Sequence, residues 1–215
     1  MGAKTWMLVL ADSNAREALA AKPSLDREAT VRLANALFPR EKLEPIGDGD
    51  LSYTCPPNDE LHIGCFPGVS VVAAKEFGID YPSRLPQKFI AAGGAGVVTL
   101  HAMHSVVDWF AYAMWNNGKL MRSLSLSPDS GIMEDIGEHL SFEEQYWLGE
   151  HPAVDSEEEK DTYPFPFHPL DLGEATLKDR FGYQIEGFVD VSLLDPESIP
   201  LVRFKRSRSS CWKFW

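Results

Sequence analysis

Asn117-Gly118 stands between two runs of apolar and β-prone residues, 109–116 and 119–126, and no other feature restricts the fold of this chain as strongly. Asparagine and glycine tolerate the two positive φ values of a type I′ turn, whose twist matches that of paired strands. A hairpin is therefore predicted, with Asn116 facing Lys119. Counted outward, Trp115 meets Leu120, Ala113 meets Arg122, Ala111 meets Leu124 and Trp109 meets Leu126. Because side chains alternate along a strand, one face carries the tryptophans and buries Arg122 among them. The other sets Met114 against Met121, Tyr112 against Ser123 and Phe110 against Ser125. That half-polar surface is a candidate ligand groove, made by Tyr112, Ser123 and Ser125 with Arg122 nearby.

Around this hairpin the pattern alternates between strands and short helices. Residues 5–11 form an apolar run ending at Asp12, as expected of a buried strand, and Ser13 opens a short helix that Pro23 ends. From 25 to 38, Ala29, Leu33, Ala36 and Leu37 share a helical stripe, with Asp26 and Glu28 in the first turn, where the helix dipole favours anions. A short strand is expected at 42–46. Strands at 61–66 and 69–74 meet at Pro67-Gly68, Ser83 begins a helix over 84–92, and residues 97–103 lead into the central hairpin. Ser141 to Glu144 reads as a capping box, and Gly182 closes a last helix begun near Asp171. The expected class is α+β: a mixed, largely antiparallel sheet with the type I′ hairpin (109–116/119–126) at its centre and helices packed on it. An arrangement of two small sheet-and-helix halves is the alternative.

With 215 residues, the chain can bury one sizeable core, and residues 1–202 are expected to form a single domain. Inside it lie an acidic loop, 154–162, and a Pro/aromatic strap, 163–169. A basic aromatic tail, 203–215, would follow. The formal charge is −12, yet five of the twenty basic residues and none of the acids fall in that tail, so the body is more acidic still. Such a body repels phosphate backbones, and nucleic acid is not the expected partner. Cys55, Cys65 and Cys211 fit neither a disulfide framework nor a structural zinc site, which points to a reducing cytoplasm. The apolar run near the N-terminus is too short for a signal peptide, and Trp6 stands where myristoylation needs Ser or Thr. No stretch is long and apolar enough to suggest a membrane span.

Several catalytic templates fail on spacing. The glycines of 93–96 follow a helix and precede a strand, the reverse of a phosphate-binding loop. Gly118-Lys119 lacks the upstream glycine of a Walker motif, and Gly68-Val69-Ser70 lacks the closing glycine of a nucleophile elbow. His62 and Cys65 would point to opposite faces of one strand. One constellation remains: His101, His104 and Asp108 are suitable ligand types for a divalent metal such as zinc or manganese. On a helix they would share a face. On a continuous strand His101 and His104 diverge, so convergence needs a bend over 104–108. With it, a metal-dependent hydrolase would be possible, the ion lowering the pKa of a water and Asp129 or Glu134 serving as base. Without it, the chain reads as a non-catalytic binding or regulatory domain for a protein or small ligand, needing no cofactor.

MGAKTW at the start, LHAMHSVVDWFAYAMW, RSLSLSPDSGI, PFPFHPL and FGYQIEG together resemble an uncharacterised family of actinomycete cytoplasmic proteins, up to about Leu201. The resemblance implies no activity, cofactor or site residue.

Overall fold

The computed structural model describes residues 2–153, 163–187 and 190–208. Nine strands form one sheet in the order β2-β9-β3-β4-β1-β5-β6-β7-β8, and every neighbouring pair is antiparallel. The strands are β1 (Lys4–Ala11), β2 (Glu41–Asp50), β3 (Glu60–Phe66), β4 (Val69–Ala73), β5 (Val97–His104), β6 (Trp109–Asn116), β7 (Lys119–Ser127), β8 (Gly131–Ile136) and β9 (Pro200–Arg208). Among the described residues the helices are α1 (Ala15–Ala20), α2 (Arg27–Leu37), α3 (Gln87–Ala91), α4 (Ser141–Trp147) and α5 (Pro169–Phe181).

Both faces of the sheet are covered, which explains why the central strands read as nearly unbroken apolar runs. Met7, Val9 and Ala11 of β1 join a core with Leu19 of α1, Tyr146 of α4 and Leu172, Leu177 and Phe181 of α5. Leu8 and Leu10 point the other way, into a second core with Ala34 and Leu37 of α2 and Phe89 and Ile90 of α3. Within the strap, Phe165 and Phe167 are buried against the first core. Its end caps α5, where His168 Nδ1 accepts from the Leu170 N–H. Gly182 closes the helix in the left-handed region, at φ 82°.

The hairpin forms as expected, with positive φ at both Asn117 (50°) and Gly118 (73°). Its register differs. Trp115 pairs with Leu120, but a bulge after that pair leaves Met121 without an opposite number, so Met114 meets Arg122, Tyr112 meets Leu124 and Ala111 meets Ser125. Arg122 thus moves to the Tyr112 face, and Ser123 and Ser125 to the tryptophan face.

The chain beyond residue 202 also departs from expectation. Residues 203–208, expected to begin a tail, instead continue β9, which lies between β2 and β3. Three of their basic residues meet neighbouring acids: Arg203 pairs with Glu60, Lys205 with Asp59, and Arg206 with both Glu41 and Glu76. Residues 209–215 of the tail, and the acidic loop 154–162, lie outside the described residues.

The two sheet edges differ in character. Glu41, Glu44, Asp48, Pro45 and a bulge between Pro45 and Gly47 make β2 a poor template for further pairing. At the other edge, β8 exposes Ile132 and Ile136.

Candidate functional site

The expected groove does not form. Tyr112, Arg122, Ser123 and Ser125 are all buried, and the bulge separates Tyr112 from the serines by the thickness of the sheet. Arg122 carries a structural ion-pair cluster. Its Nε and Nη2 donate to Glu143 of α4 at 3.0 and 2.7 Å, and its Nη1 to Asp135 and to the carbonyls of Ser123 and Ile136. Burial works against its charge, but Glu143 and Asp135 outweigh burial and hold the guanidinium above its ordinary pKa. The serines form an internal row: Ser125 Oγ accepts from Trp109 Nε1 at 3.3 Å, and Ser123 Oγ donates to Glu134. Glu134 also accepts from the Ser83 N–H and hydroxyl, at 2.9 and 2.6 Å. It therefore ties β8 to the 3-10 turn Pro82–Arg84 and faces no open site.

His101, His104 and Asp108 are not brought together. No bend interrupts β5, so the strand's alternation sends His101 into the core beneath α5 and His104 to the opposite face. The carbonyl of Gly173 lies 3.0 Å from His101 Nε2, which must therefore carry the proton; Nδ1 then accepts from Thr5 Oγ1 at 2.7 Å. Both nitrogens are engaged. Full burial lowers the pKa of His101 to about 4, against the Gly173 bond, which favours the charged form. Asp108, at φ 46° in the turn after β5, lies 3.6 Å from His168 of the strap. Among the described residues no group of three or more His, Cys, Asp or Glu is placed to hold one ion.

Two of the expected residues do meet, in a different setting. His104 and Asp129 line a cavity of about 390 Å³ at the rim of the sheet where β5 and β7 end and β6 begins. Trp6 of β1, Trp109 of β6, Asp80, Ser127 and Met133 complete most of its wall. Trp109 turns its N–H inward to Ser125, leaving carbon and π surface for the cavity. Trp6 is seated against Gly78, where an added Cβ would lie 2.9 Å from its Nε1. His104 Nδ1 accepts from the Val106 N–H at 3.3 Å, which places the ring proton on Nε2. Burial and then Lys4 keep its pKa below the usual histidine value, so the ring is neutral at pH 7. Ser127 Oγ accepts from the Ser130 N–H. Among the described residues no serine hydroxyl bonds His104, and the arrangement lacks the nucleophile–base contact of acyl-transfer sites.

A larger concavity, about 650 Å³, lies between α4, α5 and residues 184–187. Its half-buried carboxyl, Glu174, accepts from the backbone N–H groups of Ile185 and Glu186 at 2.9 and 3.2 Å. Burial, with Glu186 and Asp171 adding to it, pushes Glu174 up to about 7 in spite of those donors. Tyr146 stacks on His151 there, 4.5 Å between centroids, and Lys178 pairs with Asp190. These groups hold the wall of the concavity together.

The rim cavity depends on residues that carry no motif. Trp6 reads as one more residue of a buried strand and Asp80 as one more loop acid. Strand alternation does place Trp6 and His104 on one face once β1 and β5 are paired, Lys4 opposite His104.

An antiparallel α+β sheet covered on both faces, with a mixed aromatic and carboxylate cavity at its rim, defines the class of protein. The particular assignment is at the level of family: the chain belongs to a family of unknown function (DUF6928), which matches residues 5–204. The match ends inside β9. No curated protein and no solved structure matches the chain. No helix among the described residues is long and apolar enough to cross a membrane.

Proposed function

We propose that this protein is a non-catalytic binding domain of the reducing cytoplasm, and that its ligand is a small molecule held in the rim cavity between Trp6, His104, Trp109 and Asp129. One observation carries this reading. Two indoles from different strands line a concavity that also contains carboxylates, and Trp109, its N–H bonded inward to Ser125, offers it carbon surface, the mixture typical of small-ligand sites. The larger concavity supports it less, because its half-buried carboxyl is committed to backbone donors.

A ligand-observed NMR screen of amines, sugars and small aromatics against the full chain tests the proposal. Hits should weaken at least ten-fold in Trp6→Leu and persist in Glu174→Gln. Hits indifferent to Trp6→Leu would refute the site, and conversion of any hit to product would refute the non-catalytic reading.

A further inference from the structure

Resting on that site, we infer that the rim cavity takes a small organic cation, an alkylammonium or quaternary ammonium group seated against Trp6 and Trp109 and neutralised by Asp80 and Asp129. Charge is the first reason. Asp80 and Asp129 both line the cavity, no lysine or arginine does, and neither acid has an ion-pair partner among the described residues. Lys4 acts on His104 from outside the lining, Arg84 lies over the Tyr81 ring in the neighbouring concavity that shares Gly78 and Asp80, and His104 itself is neutral. An anion would meet two uncompensated carboxylates.

Surface chemistry is the second reason. The indole N–H is the usual means by which tryptophan recognises anions and hydroxyls, and that of Trp109 is turned inward, bonded to Ser125. What remains is the negative π face, which attracts cations most strongly where water is excluded. Val107 and Met133 extend the apolar wall, as an alkyl substituent on the cation requires. Third, the chain carries a net charge of −12, so the field around the cavity favours the approach of cations.

Isothermal titration of the full chain with tetramethylammonium and butylammonium, against their uncharged counterparts neopentane-diol and butanol and against methyl glucoside, tests the inference. Both ammonium probes should bind one per chain, weaken as salt rises, and lose about ten-fold in affinity with each of Asp80→Asn and Asp129→Asn. Asp108→Asn removes the same charge from a neighbouring turn that faces the strap, and should leave binding within two-fold. Gly78→Ala, which displaces the Trp6 ring, should weaken binding without touching a charge. If the neutral probes or the glucoside bind as well as the ammoniums, and Trp6→Leu abolishes that binding, the cavity stands as a site and the cation inference fails. If no probe binds, or if binding ignores Trp6→Leu, the cation inference and the proposed site fail together. Unchanged thermal midpoints of the asparagine variants exclude loss of fold as the cause.

Discussion

The Tyr112 hydroxyl is buried with no protein hydrogen-bond partner among the described residues, although Glu143, Arg122, Arg180 and Asp179 all lie near enough to act on it. A buried hydroxyl that makes no bond costs more than the bond would have gained. Tyr112→Phe should therefore raise stability by about 1 kcal/mol, read as a higher urea midpoint at unchanged slope; a loss of stability would mean that the hydroxyl is bonded after all. Arg122 presents the opposite case. Its charge is tolerable only because Glu143 and Asp135 surround it, and removing one partner leaves the other charge in the core. Glu143→Ala should cost roughly 3 to 5 kcal/mol in the same assay, and a cost under ~1 kcal/mol would show that Asp135 alone suffices.

At the scale of elements, α5 lies close on the sheet because Gly173 has no side chain. A Cβ there would stand 3.1 Å from Met103 Sδ and 3.2 Å from Phe110 Cδ2, and the Gly173 carbonyl receives the His101 ring N–H. Gly173→Val should cost roughly 2 to 3 kcal/mol, because added methyls force the helix off its seat. Gly173→Ala should cost far less, since a gain in helix propensity of about 1 kcal/mol offsets the tighter contact. Denaturation of both variants checks this, and equal losses would contradict the steric cause. The same scale shows what sequence could and could not convey. Asn117-Gly118 announces the hairpin through φ requirements that few other pairs meet, and Gly182 announces the end of α5 in the same way. The bulge at Met121 has no such signature, because one unpaired residue costs little locally, and it alone moved Arg122 and the serines to unexpected faces. Residues 203–208 read as a tail because their charges are solvated in any extended chain. Pairing with β2 and β3, burial of Phe204 and the acids Glu41, Glu76, Asp59 and Glu60, all far away in sequence, make them a strand. Trp6, Asp80 and Asp129 share no motif, because their meeting depends on three separate chain segments.

For the molecule as a whole, α5 stands between two titrating groups of opposite sense, His101 beneath Gly173 and Glu174 on its outer side. His101 falls from 6.5 to about 4 on folding, so below pH 6.5 the unfolded chain takes a proton that the folded chain refuses. Its contribution to stability is complete above pH 6.5 and is lost as pH falls toward 4. Glu174 rises from 4.5 to about 7, so between those values the folded chain keeps a proton that the unfolded chain has released. Its contribution is complete below pH 4.5 and is lost as pH rises toward 7. Each group alone imposes a slope of about 1.4 kcal/mol per pH unit, and between pH 4.5 and 6.5 the two slopes oppose each other. His62 and His104, also held below the ordinary histidine range by burial, lean the same way as His101, so the wild-type profile is a sum over several groups. Differences between wild type and single variants isolate the pair. The stability of wild type minus that of Glu174→Gln should fall by up to roughly 3 kcal/mol from pH 4.5 to 7, and wild type minus His101→Gln should rise by a similar amount from pH 4 to 6.5. Urea denaturation at half-unit pH steps reads both. A flat difference for Glu174→Gln would mean that the Ile185 and Glu186 N–H groups keep the carboxylate ionised. Slopes of the expected sign would identify α5 as the element that acid loosens from the sheet below it, through His101, and that base loosens from the 184–187 segment above it, through Glu174.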